Sequence, residues 1–236
     1  MAAHSIHQTK QWLKNSNNPI VIRLRRLVKS AITYDIPSPK SISLPAYLLY
    51  KVVTSVVSNG LRIFLWTPIF KGRIVSLGKR LYLYGGIPFI SGPVEISIGN
   101  NCRISGKITI SGRSNTKLPP TLCVGNNVDI GWMTTIAVGS RVILGNNVRI
   151  AGQAFLAGYP GHPLNPEDRS AGLPDTDNQI GDILLEDDVW LATGVSVMQG
   201  VSIGQGTIVA ANSVVTKNLP AMVLAGGNPA RIIRSL

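Results

Sequence analysis

Aliphatic residues recur every six positions through the C-terminal two thirds of this chain. Leu185, Leu191, Val197, Ile203, Val209 and Val215 form the cleanest run. Four positions beyond each stand Val189, Val195, Val201, Thr207, Ser213 and Leu219. The spacing returns at Val138, Leu144, Ile150 and Leu156, at Ile98, Ile104 and Ile110, and at Val124 and Ile130. Six is neither the helical nor the strand period. It suits a chain that runs a short strand, turns and repeats. Three such sides close a triangular coil of about eighteen residues, and successive coils stack through parallel ladder bonds. The aliphatics then point inward, while Gly-Asn-Asn at 99–101, 125–127 and 145–147 supplies corners. The pattern predicts a mainly β chain, a parallel β-helix of about six coils over residues 77–236.

Residues 1–76 follow a different grammar and read as a basic, partly helical N-terminal extension. Ile20 to Lys29 mixes aliphatics with cations, and Asp35-Ile-Pro-Ser-Pro39 breaks the pattern. Leu44 to Val57 and Leu61 to Trp66 are the most apolar stretches, interrupted by Lys51, Asn59 and Arg62. A spanning helix wants about 20 residues with few charges, so no transmembrane segment is expected. Cations dot the first 30 residues and no cleavage site follows, so no signal peptide is expected either.

The net charge of +12 sharpens this division. Residues 1–80 hold thirteen Lys or Arg and a single acid, Asp35, whereas residues 81–236 are balanced at ten each. Basic character therefore belongs to the extension. Two readings stay open and compatible for residues 1–72: a cap over the end of the coils, or contact with an anionic membrane surface. Nothing there resembles a nucleic-acid recognition motif. Cys102 and Cys123 have no metal spacing and read as two small buried thiols.

The six-residue period fails twice. Residues 111–121 read as a plain surface loop. The longer break, 157–182, contains Gly-Tyr-Pro-Gly-His162-Pro-Leu-Asn-Pro-Glu-Asp-Arg169. A long excursion from a rigid scaffold is usually functional. His162 is the one histidine beyond residue 10, and an imidazole is suited to proton transfer near neutral pH. A metal site of three histidines cannot be built around it in the repeats.

The repeats, the His162-Pro163 string with Pro166 and Arg169, Asp188-Val-Trp190 and Gly200-Val-Ser-Ile-Gly204 together resemble the hexapeptide-repeat acyltransferases. Within them they are similar to the maltose and galactoside O-acetyltransferase branch. The ending adds to this, with Val215-Thr-Lys217 and Asn228-Pro-Ala-Arg231. The resemblance implies a left-handed coil and acetyl-CoA as co-substrate, with no metal. It implies His162 as general base and the backbone N–H of Thr193 as oxyanion donor. Trp190, Ala192 and Ala211 would flank the pantetheine, Thr216 and Lys217 the adenosine end, and Arg231 and Arg234 the phosphates, with a short C-terminal helix closing the chain. It also implies homotrimers with active sites shared between copies.

The acceptor is less well specified. The branch carries an asparagine one coil before the histidine, where this chain reads Ile130-Gly-Trp132-Met-Thr-Thr135, and its N-terminal acceptor-binding aspartate has no counterpart. Trp132 and Arg169 are the substrate-binding candidates. The expected activity is O-acetylation of a sugar in a bacterial surface polysaccharide or its lipid-linked precursor, in the cytoplasm and peripherally on the inner membrane. N-acetylation of an amino sugar and a non-catalytic binding β-helix are the alternatives.

Overall fold

The computed structural model describes residues 2–236, with side chains from His7 onward. Contacts divide the chain into two units, residues 1–53 and 54–236. The first holds α1 (Ala2–Asn15), α2 (Pro19–Ile32) and the start of α3 (Lys40–Leu61). Asn18 caps α2 by accepting from the Ile20 N–H at 2.9 Å, and Pro19 occupies the first turn, where its missing N–H costs nothing.

The second unit begins in α3, which continues through a π-turn (Arg62–Trp66) into α4 (Thr67–Lys71). Phe70, only 1% exposed, seals the first coil against Leu83 and its neighbours, with Trp66 and Ile74 packed around it. The coils present three faces. Face A stacks Ser76–Leu77, Glu95–Ile98, Thr121–Val124, Arg141–Leu144, Ile183–Leu185 and Ser202–Ile203. Face B stacks Tyr82–Tyr84, Arg103–Ser105, Asp129–Ile130, Arg149–Ile150, Trp190–Leu191 and Ile208–Val209. Face C stacks Phe89–Ser91, Thr109–Gly112, Thr135–Val138, Phe155–Ala157, Ser196–Met198 and Val214–Val215. The chain visits A, B and C in turn through six coils, all strands pairing in parallel. Every residue of the six-spaced apolar runs is at most 7% exposed, which fills the prism with side chains.

The A-to-B corners explain the Gly-Asn-Asn triplets. Asn101, Asn127 and Asn147 take left-handed φ values of 58°, 55° and 59°, which asparagine tolerates better than most residues. The preceding asparagines form a ladder along the edge. Asn126 Oδ1 accepts from the Asn100 N–H at 2.8 Å, Asn146 Oδ1 from the Asn126 N–H at 2.9 Å, and Asp187 Oδ1 from the Asn146 N–H at 2.6 Å. A Cβ on Gly125 would come within 2.7 Å of the Gly145 carbonyl, so the close approach of the coils requires glycine there.

Two expectations need correction. The C-terminal residues form no helix. Val223–Gly227 extends face B, and Ala230–Ser235 returns antiparallel beside it. The free edge of face B offers a ladder, while Gly226-Gly227 and Pro229 favour a turn over a short helix that could hardly nucleate. Cys102 is buried, but Cys123 is exposed, because it lies between inward Leu122 and Val124 on one strand. Asn126→Ala, which breaks the ladder on both sides, is expected to cost about 1–3 kcal/mol in chemical denaturation. Lys117→Ala, in an exposed loop, should stay within about 0.5 kcal/mol of the parent.

Candidate active site

Both breaks in the repeat leave the prism at the same edge, between face C and face A. The shorter follows Thr109–Gly112 on the second coil, and the longer follows Phe155–Ala157 on the fourth. The shorter one is not a plain surface loop, because it holds the longer one down. Arg113 is 2% exposed, and its Nε donates to Asp175 Oδ1 at 2.6 Å. Its Nη2 donates to the Asp175 carbonyl at 3.0 Å and its Nη1 to Asp177 Oδ1 at 2.7 Å. Burial alone would lower the pKa of this guanidinium. Hydrogen bonds to Asp175 and then Asp177 outweigh it and raise the pKa. Tyr159 adds a hydroxyl bond to Ser111 Oγ at 3.1 Å.

This clamp reaches the histidine through its backbone. The other oxygen of Asp175 accepts from the Gly161 N–H at 3.1 Å, and Gln179 Nε2 donates to the His162 carbonyl at 3.2 Å. Gln179 is itself nearly buried and fixed by a capping box with Thr176. Asn165 caps the short helix Pro166–Ser170, and Arg169 donates to the Pro163 and Leu164 carbonyls. Arg169 thus braces the segment after His162. The imidazole itself is exposed and hydrogen-bonds to no described residue. A cleft of about 820 Å³ opens between the two excursions, lined by Asn115, Leu118, Asp168, Leu173 and Ile180, among others; His162 is not part of its lining.

The remaining candidates occupy other edges. Ala192 and Thr193 turn the fifth coil from face B to face C, and Ala211 does so on the sixth. The Thr193 carbonyl accepts from the Asn212 N–H at 2.9 Å, while its own N–H has no partner among the described residues. Arg231 pairs with Gly226 on the C-terminal hairpin, close to this same corner, because a Cβ on Gly226 would lie 3.1 Å from Ala210 Cβ. Arg234 pairs with Leu224, toward the opposite side of face B. Trp190 projects outward on face B and, with Tyr84, Asp129 and Arg149, lines a pocket of about 350 Å³. Trp132 sits at the B/C corner of the third coil, its indole Nε1 2.8 Å from where a Cβ on Gly152 would be. Thr216 and Lys217 follow Val214–Val215 at the C/A edge, the edge that also carries the His162 excursion.

His162 and Thr193 therefore flank opposite sides of face C. Phe155 pairs with Ser196 and Ala157 with Met198, so a strand's width separates the two corners. One chain does not bring these two residues together. Sequence reasoning missed the clamp. Its one available signal was that both breaks fall after a face C strand, visible by counting coils but not from either loop alone. Among the described residues no group of three or more His, Cys, Asp or Glu could hold a metal ion.

Comparison with known proteins agrees with this architecture. Residues 182–217 match the bacterial transferase hexapeptide (six repeats). The chain is 40% identical over 117 residues to the polysialic acid O-acetyltransferase of Escherichia coli O1:K1, covering 47% of this chain and 37% of that protein. It is 31% identical over 140 residues to the galactoside O-acetyltransferase of Escherichia coli K12, covering 59% and 64%. The chain thus spans between 37% and 64% of the length of the curated relatives it matches. A variant of AntD, an N-acyltransferase from Bacillus cereus crystallised with coenzyme A, superposes with a TM-score of 0.56 at 22% identity, over 72% of this chain and 88% of that one. That likeness is one of fold, a left-handed parallel β-helix.

Arg113→Met would leave the Asp175 carboxylate buried without its cation, a loss of about 3–5 kcal/mol. Because the affected segment is a loop, the expected result is local release. Amide exchange at Gly161 should accelerate by about two orders of magnitude or more, while exchange at Leu191 in the core stays unchanged.

Proposed function

We propose, on the premise that this chain belongs to the hexapeptide-repeat acyltransferase family, that it transfers an acetyl group from acetyl-coenzyme A to a sugar hydroxyl. The observation that carries this reading is the clamped excursion. Its backbone is fixed on both sides of His162, by Asp175 and by Gln179, while the imidazole stays accessible. The named O-acetyltransferases among its relatives support the reaction class.

The imidazole of His162 takes the proton of the acceptor hydroxyl as its oxygen attacks the acyl carbon. The Thr193 N–H, unpartnered among the described residues, stabilises the oxyanion of the tetrahedral intermediate. When the carbon–sulfur bond breaks, the imidazolium returns its proton to the departing sulfur. The products are an acetyl ester and free thiol, and no nucleophilic side chain or metal is required. Acetyl-coenzyme A supplies the activated thioester. Ala192 and Ala211, with only methyl side chains, leave room for a pantetheine arm, and exposed Arg231 and Lys217 offer charge to its phosphates. Trp190, Thr216 and Arg234 lie further out and would contact its periphery.

Since base and oxyanion donor stand on different edges of one prism, the working unit is a cyclic homo-oligomer. The C/A edge of one copy meets the B/C edge of the next, and three copies close the ring. The acceptor is a sugar of a bacterial surface polysaccharide or its precursor, and Trp132, half exposed on the B/C edge, is placed to stack on it.

His162→Ala is expected to lower kcat by about 10²–10⁴ while acetyl-coenzyme A still binds in calorimetry; an unchanged rate would remove the mechanism. Lys217→Ala should raise the Michaelis constant for acetyl-coenzyme A and spare kcat. Mass spectrometry of the product distinguishes an alkali-labile ester on oxygen from an alkali-stable amide on an amino sugar.

A further inference from the structure

The helical stretch Lys40–Lys71 runs for 32 residues and is, by length and composition, long and apolar enough to cross a membrane. The placement of its charges argues for another posture. Lys40, Lys51 and Arg62 are eleven residues apart, about three turns, so they fall on one stripe. Thr54, Ser55 and Ser58 lie on the same stripe. A spanning helix would carry Lys51 or Arg62 into the hydrocarbon, whereas a helix lying in the interface keeps the whole stripe out of it.

The end of this stripe already has a partner. The Arg62 guanidinium sits over the Tyr82 ring, 4.7 Å from its centroid, and donates to Asn59 Oδ1 at 3.3 Å. Ser55, Ser58, Asn59 and Arg62 line a small pocket of about 130 Å³ with Tyr82 and Tyr84 of the first coil. The polar side of the helix between Ser55 and Arg62 thus faces the first coil, and its apolar side faces away. Val56, Ile63 and Phe64 lie on that far side, between 51% and 82% exposed.

Charge identifies the occupant. α2 carries Arg23, Arg26 and Lys29 beside exposed Ile20, Leu24, Leu27 and Val28, which recur at helical spacing. Residues 1–80 hold thirteen cations and one acid. A second copy laid on this surface would bring two such charges together, which is repulsive. An anionic lipid surface accepts both features, apolar insertion and cation attraction, and two such signals together make stable attachment.

We propose that the N-terminal helices seat this protein on a bilayer rich in anionic lipid. The Lys40–Lys71 helix lies in the interfacial plane, its Val56–Ile63–Phe64 side among the acyl chains and its Lys51–Arg62 stripe out of the hydrocarbon. The attachment is peripheral, on the cytoplasmic leaflet where anionic headgroups dominate, so the coils stand beside the membrane on which a lipid-linked acceptor would be presented.

The test uses the full chain and vesicles of phosphatidylcholine with or without phosphatidylglycerol, read by co-sedimentation. Affinity should fall at least about tenfold when phosphatidylglycerol is omitted or salt is raised. Phe64→Asp should reduce it by about tenfold without changing the molecular mass in sedimentation. Arg23→Gln with Arg26→Gln and Lys29→Gln, exposed on α2, should erase most of the preference for phosphatidylglycerol. Alkaline carbonate should release the bound protein. Equal affinity for both vesicles, retention after carbonate, or a Phe64→Asp variant that changes oligomeric mass but not binding would each overturn the proposal. The readout involves no turnover, so it stands or falls separately from the acyl-transfer reading.

Discussion

Successive coils of this protein are held one ladder bond apart, a spacing of about 4.8 Å that leaves no slack for anything attached to them. Corner glycines such as Gly125 are needed because a methyl group would strike the next coil at 2.7 Å. The asparagine ladder exists because each coil stacks its corner directly over the last. The same rigidity decides how an excursion can be positioned. A segment that leaves the prism must be fastened to another point on the same edge, and here that point is Arg113, two coils from the loop it holds. A buried guanidinium with two carboxylate partners makes a stiff fastening, since any departure exposes uncompensated charge to the interior.

What was legible in the sequence followed from local repetition. Six-residue spacing reports which residues point inward, so the core and the number of coils could be read directly. The Gly-Asn-Asn triplets announced one family of corners because their backbone conformation selects those residues. The C-terminal hairpin was not legible, because Ala230 to Ser235 pairs with a strand edge that exists only after the coils have formed. Nor was the clamp, since Arg113 and Asp175 stand 62 residues apart and neither belongs to a repeating pattern. Cys123 was misjudged because its hydrophobic neighbours conceal the alternation of its strand.

His162 was legible by a different route. Composition and periodicity marked only the excursion, and the surrounding residues supplied the resemblance that singled out the imidazole. Neither source revealed that His162 and Thr193 lie on opposite sides of face C. Under the roles proposed for them, the two residues form a site only when a second prism is set against the first.

In the proposed mechanism one copy's His162 works against the next copy's B/C edge. It is tested most directly by purifying differently tagged copies of His162→Ala and Ala192→Trp as one mixed oligomer and measuring acetyl transfer. Each variant alone should be inactive, while random mixing should restore about a quarter of the wild-type rate per site, from interfaces that join two intact edges. A mixed oligomer no more active than either parent would contradict the shared site.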